Sequence, residues 1–147
     1  MKFVSFLFLL LLSCNSIKTG DKLTKYDILQ IRKLGLLEEN EKIIAFSSQS
    51  SNSVSGNFYT DKRIASYWQD EYNSAENEVN SAFYKDVISI DTVVYAGLTF
   101  APYLIIMKKD SSSFKAYFDG EKSEVRKLFT DIFEKWENAK NKDLNLK

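Results

Sequence analysis

The side chains that most often carry catalysis or bind metals are scarce in this 147-residue sequence. It contains no histidine and a single cysteine, Cys14. Without histidine, the common zinc sites lack their usual nitrogen ligand, and a serine-protease type of triad lacks its base. One cysteine cannot form a disulfide within the chain. The sequence also lacks a glycine-rich phosphate loop and the G-x-S-x-G nucleophile motif.

The acidic residues give no acid–base pair and no calcium motif. Asp86 and Asp91 are five positions apart, so on one continuous strand they point to opposite faces of a sheet. In the acidic stretch 70–81, Ala75 stands where a calcium loop needs glycine, and Ser81 stands where it needs a bidentate glutamate. We therefore expect a protein that is not an enzyme, with no catalytic residues, no metal and no cofactor.

The overall composition predicts one folded domain and argues against nucleic acid as a partner. Twenty basic side chains balance twenty acidic ones, so the formal net charge is zero. Binding to nucleic acid through counterion release needs an excess of basic charge. The hydrophobic fraction of 44% and the aromatic fraction of 14% are sufficient for one packed core.

The single cysteine ends an apolar segment at the N-terminus. Met1-Lys2 gives a short positive start, and Phe3–Leu12 is almost entirely apolar. A helix of about ten residues spans about 15 Å, roughly half of a bilayer's hydrocarbon core, so the segment has the length of a signal peptide rather than of a membrane span. Leu11-Leu12-Ser13-Cys14 resembles the lipobox of bacterial lipoproteins, in which the cysteine thiol is alkylated by a diacylglyceryl group.

The resemblance implies that residues 1–13 are a signal peptide and that Cys14 becomes an acylated, palmitate-carrying N-terminus anchored in the bacterial cell envelope. Residues 14–22 are polar and predict a tether. Asn15 favours the outer membrane, because lipoproteins that some Gram-negative bacteria retain in the inner membrane have aspartate at that position. An ordinary cleaved signal peptide followed by a chance cysteine is the alternative.

Two helices bracket the predicted domain. Thr24-Lys25-Tyr26-Asp27 fits a capping box and Gly35 a helix terminator, so we predict a helix over about residues 25–34. A second helix of about 18 residues is predicted after Gly120, because apolar residues follow with helical spacing. They are Val125, Leu128, Phe129, Ile132, Phe133 and Trp136.

Between the helices, the hydrophobic period changes to that of strands. Seven candidate strands at short spacing predict a small barrel or sandwich rather than alternating strands and helices. They cover residues 42–48, 54–60, 63–69, 79–85, 87–95, 104–108 and 113–118. The serine-rich stretch Ser47–Ser55 predicts a flexible polar loop. Lys62-Arg63 are predicted to be solvated charges at a sheet edge.

The order of these elements and several local segments resemble bacterial pleckstrin-homology-like (PH-like) domains. The segments are Leu37–Phe46, Gly56–Ile64, Tyr84–Ile90 and the closing helix through Trp136. The resemblance implies an α+β, mainly β fold, with a seven-stranded bent antiparallel sheet or partly open barrel. A C-terminal amphipathic helix would cap it, and a short N-terminal helix would precede it. We place the domain at residues 23–140 and a flexible tail at 141–147.

The resemblance implies a binding or structural module. Residues 43–61 contain no basic side chain, so the phosphoinositide site of some PH domains is not expected. An envelope protein or peptide is the expected partner, and the membrane is reached through the acyl chains. Aromatic residues near the loops form the candidate interaction surface: Tyr67, Trp68, Tyr72, Phe100 and Tyr103. The alternatives are a binder of a lipid or small apolar ligand in the barrel and, more weakly, an unrecognised enzyme.

Overall fold

The computed structural model describes residues 17–94 and 101–145. Eight strands follow one another in the order β1 (Lys18–Thr19), β2 (Ile43–Ser47), β3 (Ser55–Thr60), β4 (Arg63–Trp68), β5 (Glu78–Phe83), β6 (Val87–Val93), β7 (Tyr103–Lys108) and β8 (Ser113–Tyr117). The two α-helices are α1 (Lys25–Lys33) and α2 (Lys122–Leu144). The signal peptide, Cys14 and Phe100 lie outside the described residues. None of the helices in the described ranges is long and apolar enough to cross a membrane.

The strands form two antiparallel sheets. Sheet A has the order β1-β2-β3-β4-β5, and sheet B has the order β6-β7-β8. Within residues 17–94 and 101–145, no strand pairing joins the two sheets, so the barrel is not closed. The mainly β class with a C-terminal helix is confirmed. The predicted seven-stranded sheet differs from the observed arrangement of five plus three strands, in which β1 is the additional strand.

Helix α1 covers the outer face of sheet A. Its predicted capping box is present, since the Asp27 amide donates to Thr24 Oγ1 at 3.1 Å and the Thr24 amide donates to the Asp27 carboxylate at 2.8 Å. Gly35 follows the helix with φ +73°, a backbone conformation that glycine adopts without strain. The fully buried Ile31 packs with Phe46 and Phe58 of the sheet, so this helix closes a small second core.

Helix α2 closes the main core between the inner faces of the two sheets. Its predicted apolar stripe is confirmed: Val125, Leu128, Phe129 and Ile132 are buried, and Phe133 and Trp136 pack beside them. The helix runs to Leu144, so part of the stretch predicted as a flexible tail is helical. The cleft described below is lined by strand and loop residues and not by the stripe.

The N-terminal segment is part of the domain from Ile17 onward. Ile17 packs against the main core, and β1 pairs with the edge of β2. Gly20 lies so close to Ile43 that a Cβ atom built on it would clash with the Ile43 carbonyl oxygen. The structure therefore differs from the predicted tether 14–22, because residues 17–22 add a strand and a turn to an otherwise unpaired strand edge.

A buried ion pair joins the segment before β2 to the turn between β3 and β4. Arg63 donates from Nε and Nη2 to the two carboxylate oxygens of Glu41, at 2.9 and 2.7 Å. The side chains are 5% and 0% exposed, respectively. Thr60 Oγ1 donates to the same carboxylate at 2.6 Å, and the Glu38 amide does so at 3.1 Å. Each carboxylate oxygen thus has two partners, which compensates for its removal from water.

The prediction of solvated edge charges is wrong for Arg63 and holds for its neighbour Lys62. The Arg63 guanidinium, besides its ion pair, lies over the Phe83 ring at 4.1 Å from the ring centre. Lys62 instead pairs with Glu38 at 2.7 Å, and both of these side chains are more than a third exposed. Lys62 and Arg63 are adjacent in the sequence, but neighbouring side chains point in opposite directions. The Arg63 side chain therefore points into the protein and the Lys62 side chain points into water.

Candidate binding cleft

The inner face of sheet A, which faces sheet B, changes from apolar to polar along its length. One row across β2 to β5 belongs to the main core and consists of Ala45, Tyr59, Ile64 and Ala82. Alternate residues of a strand share a face, so the next inner row lies two positions along each strand. That row consists of Ser47, Asn57, Ser66 and Asn80. The barrel interior is therefore apolar beneath α2 and polar at its other end.

The polar end opens as a cleft between β5 and β8, which we call the seam. Its deeper part is a hollow of about 350 Å³ lined by Gln49, Ser55, Asn57, Ser66, Tyr67, Trp68, Glu78, Lys115 and Tyr117. A second hollow of about 480 Å³ continues along the same two strands, between residues 77–80 and 113–117. The floor is made of Ser55, Asn57 and Ser66, which are only 5–8% exposed.

Within residues 17–94 and 101–145, the wall of the seam at β8 is a strand edge with no pairing partner. Hydrogen bonds to the β7 side are made by even-numbered residues: Phe118 donates to the Pro102 carbonyl at 2.9 Å, and the Ser112 carbonyl accepts from Lys108 at 2.8 Å. In an antiparallel pair, hydrogen-bonding direction alternates along the strand. The amides and carbonyls of Ser113 and Lys115 therefore point away from β7 and toward the seam.

The wall at β5 is the opposite edge, and it too has no pairing partner in the part of the chain that the structure describes. The Tyr84 amide donates to the Lys62 carbonyl at 3.0 Å, so the even-numbered residues of β5 form the hydrogen bonds to β4. The backbone groups of Val79 and Ser81 consequently point outward. Val79 is 43% exposed, which is unusual for a strand valine. Two strand edges with free backbone donors and acceptors thus border one cleft.

Asn57 links the two sheets across the seam floor. Its side-chain Oδ1 accepts a hydrogen bond from the Tyr117 amide at 3.0 Å. The side chain thereby takes the place that a neighbouring strand would occupy at this point of the β8 edge. Within the described ranges, every fully buried side-chain nitrogen or oxygen has a hydrogen-bond partner. The second polar atom of Asn57 and the Ser66 hydroxyl, which make no hydrogen bond within those ranges, are therefore in reach of a ligand.

The serine-rich loop at the mouth of the seam is held by its own hydrogen bonds. Ser48 Oγ lies 3.0 Å from Ser55 Oγ and donates to the Ser50 carbonyl at 2.9 Å. The Tyr67 hydroxyl donates to the Asn52 carbonyl, and burial raises the pKa of this phenol well above its usual range. Most of these hydroxyls therefore make hydrogen bonds within the loop or to the strands beside it.

The predicted interaction residues that the structure describes fall into three groups. Tyr67 and Trp68 line the seam, the first buried and the second 44% exposed. Tyr103 lies behind the seam wall, with its ring centre 5.2 Å from that of Tyr117 and 5.0 Å from the Lys115 ammonium. Tyr72 is 96% exposed on the loop between β4 and β5, and Phe100 lies outside the described residues.

The sequence reasoning missed the polar floor. Asn57, Ser66 and Asn80 are small polar residues at inward positions of strands, where a barrel normally places apolar side chains. The tight turn at Asp61-Lys62 fixes the pairing of Asn57 with Ser66, so this part of the floor could have been found from the hairpin register. The position of Lys115 could not have been found in this way, because its place beside Glu78 depends on how the two sheets meet.

Comparisons with known proteins address the fold. No protein-family model matches the sequence, and neither does any curated protein. Among solved structures, the chain is similar to the crystal structure of a DUF1696 family protein with a pleckstrin-homology domain from Shewanella loihica PV-4. The TM-score is 0.52 at 11% sequence identity, over 85% of this chain and 96% of the other. The fold is PH-like.

The PH-like fold confirms the resemblance that was drawn from the segment order. In this PH-like domain, α2 packs on the main core, and none of the described residues covers the seam between β5 and β8. The loop between β2 and β3, at the mouth of the seam, carries no basic residue. The polar, uncharged floor of the seam is therefore the feature of this domain that is best suited to a ligand other than an anionic headgroup.

Proposed function

We propose that the protein is a non-catalytic, lipid-anchored module of the bacterial cell envelope whose PH-like domain binds an extended peptide segment of another envelope protein in the seam. The observation that carries this proposal is the pair of strand edges on either side of one polar cleft, neither of which is paired within the described residues. A peptide strand that pairs with a free edge gains a regular set of main-chain hydrogen bonds. The seam supplies that edge at Ser113 and Lys115.

The side chains around the seam favour a peptide over a small apolar ligand. The floor consists of hydroxyl and amide groups, which suit the main-chain polar groups of a peptide. Glu78 and Lys115 place opposite charges on the two walls and can select charged side chains of the peptide. The apolar half of the interior, where a small apolar ligand would bind, is filled by the side chains of the main core.

Filling the seam tests this proposal. Peptides selected for binding from a random phage-displayed library are expected to lose about tenfold or more in affinity for the Ser66→Leu variant, which corresponds to about 1.4 kcal/mol. The isobutyl group occupies the floor and cannot hydrogen-bond to a peptide. The measurement is isothermal titration calorimetry with the selected peptide.

The matched control is Ser123→Leu, which introduces the same side chain at an exposed position of α2. It is expected to leave the affinity unchanged. Equal affinities for the wild type and Ser66→Leu, with both proteins folded, would place the peptide somewhere other than the seam.

A further inference from the structure

The folded domain begins very close to the proposed lipid anchor. Ile17 already packs against the main core, and only two residues separate it from Cys14. Three residue steps span at most about 10 Å when fully extended. If Cys14 carries acyl chains, as the proposed function states, the chain that leads to it is too short to hold the domain away from the bilayer.

The register of sheet A shows which part of the domain is nearest the anchor. Lys18 pairs with Phe46, so Ile17 lies beside Ser47 at the end of β2. At the same end of the sheet, β3 begins with Ser55, β4 ends with Trp68 and β5 begins with Glu78. Trp68 pairs with both Ser55 and Glu78. We call this the anchor end. Ile17 also contacts Gly120, directly before α2, so the helix starts at the same end.

The anchor end carries exposed aromatic side chains. Trp68 is 44% exposed, and Tyr72, on the loop that leaves β4 at this end, is 96% exposed. Tyr26 is 61% exposed in the first turn of α1, next to Asp27, which lies close to Lys18 of β1. Exposed tryptophan and tyrosine are common at membrane interfaces, because their rings are amphipathic and suit the headgroup region.

We propose that the anchor end rests on the bilayer surface, with Trp68, Tyr72 and Tyr26 in the headgroup region. The opposite end points away from the membrane. It carries the second tryptophan, Trp136, whose Nε1 donates to the Val87 carbonyl at 3.1 Å. Trp136 lies about 21 Å along α2 from its first residue, Lys122. The inference rests on the lipid anchor of the proposed function and adds an orientation to it.

The two tryptophans allow a direct test. Trp136→Phe leaves Trp68 as the single tryptophan, and Trp68→Phe leaves Trp136. The chain starting at Cys14, which contains all described residues, is coupled through its only thiol to maleimide lipids in phosphatidylcholine vesicles, with or without brominated acyl chains. The fluorescence of Trp68 is expected to fall about twofold in the brominated vesicles, since its ring lies at the lipid interface. The fluorescence of Trp136 is expected to stay unchanged.

Unquenched Trp68, or equal quenching of both tryptophans, would overturn the orientation. Should Trp136→Phe fail to fold, the difference between the wild type and Trp68→Phe gives the signal of Trp68. Because coupling through maleimide does not depend on lipidation in the cell, this result is separate from the anchor itself. The anchor is tested by flotation of the full-length protein from cells, and a failure there would leave the orientation measurement intact.

Discussion

Replacing Glu41 with alanine is expected to lower the free energy of unfolding by about 3–5 kcal/mol, the usual cost of removing one partner of a buried ion pair. Arg63 would remain 4% exposed with its charge uncompensated by the carboxylate. The Thr60 hydroxyl would lose its acceptor at 2.6 Å as well. Since small domains have a total stability of about 5–15 kcal/mol, a large fraction of the protein would unfold at moderate temperature. Urea denaturation followed by circular dichroism measures the loss.

The neighbouring carboxylate provides the control. Glu38→Ala removes an exposed side chain that contacts Lys62 at 2.7 Å and Arg63 at 3.2 Å. Because water screens this contact, its loss is expected to be much smaller. The double variant Glu41→Leu/Arg63→Met, which removes both charges and keeps the volume, is expected to recover most of the stability. Equal losses for Glu41→Ala and Glu38→Ala would show that the buried pair is not important for stability.

Cys14→Ser is expected to move the protein from the membrane fraction to the soluble fraction completely and to abolish incorporation of labelled palmitate. Each buried methylene of an acyl chain contributes about 0.8 kcal/mol to membrane binding, so two or three chains hold a protein firmly. Fractionation of the full-length protein expressed in a Gram-negative host, followed by immunoblotting, measures the effect.

A displaced thiol is the matched control for this variant. Cys14→Ser combined with Ser16→Cys keeps one cysteine near the same place but outside the Leu-Leu-Ser-Cys motif. The double variant is expected to stay soluble and unlabelled. Membrane retention of Cys14→Ser, or rescue by the displaced cysteine, would contradict a lipobox.

Local patterns were sufficient to predict the helices and the fold class. The Thr24–Asp27 capping box and the apolar stripe of α2 are set by residues three and four positions apart, so they are visible in the sequence itself. The strand alternation was also visible, and the order of elements led to the PH-like fold.

Features that depend on distant pairing were not predictable in the same way. The strand β1 is only two residues long and forms because β2 offers an edge 26 to 28 residues later, at the Lys18–Phe46 and Thr19–Ala45 pairs. The burial of Arg63 depends on its ion pair with Glu41, which lies before β2, 22 residues earlier in the chain. The seam depends on the junction of two sheets, and no local window of sequence contains both of its walls.

The most direct test of the binding proposal is amide hydrogen exchange of the β8 strand, measured by NMR with and without a peptide selected for binding. A peptide strand paired with the free edge is expected to slow exchange at Ser113 and Lys115. The amides of Phe114 and Ala116 already bond to β7 and are expected to change little. This alternation with a period of two would establish strand pairing in the seam. Unchanged exchange at Ser113 and Lys115 in the presence of saturating peptide would contradict it.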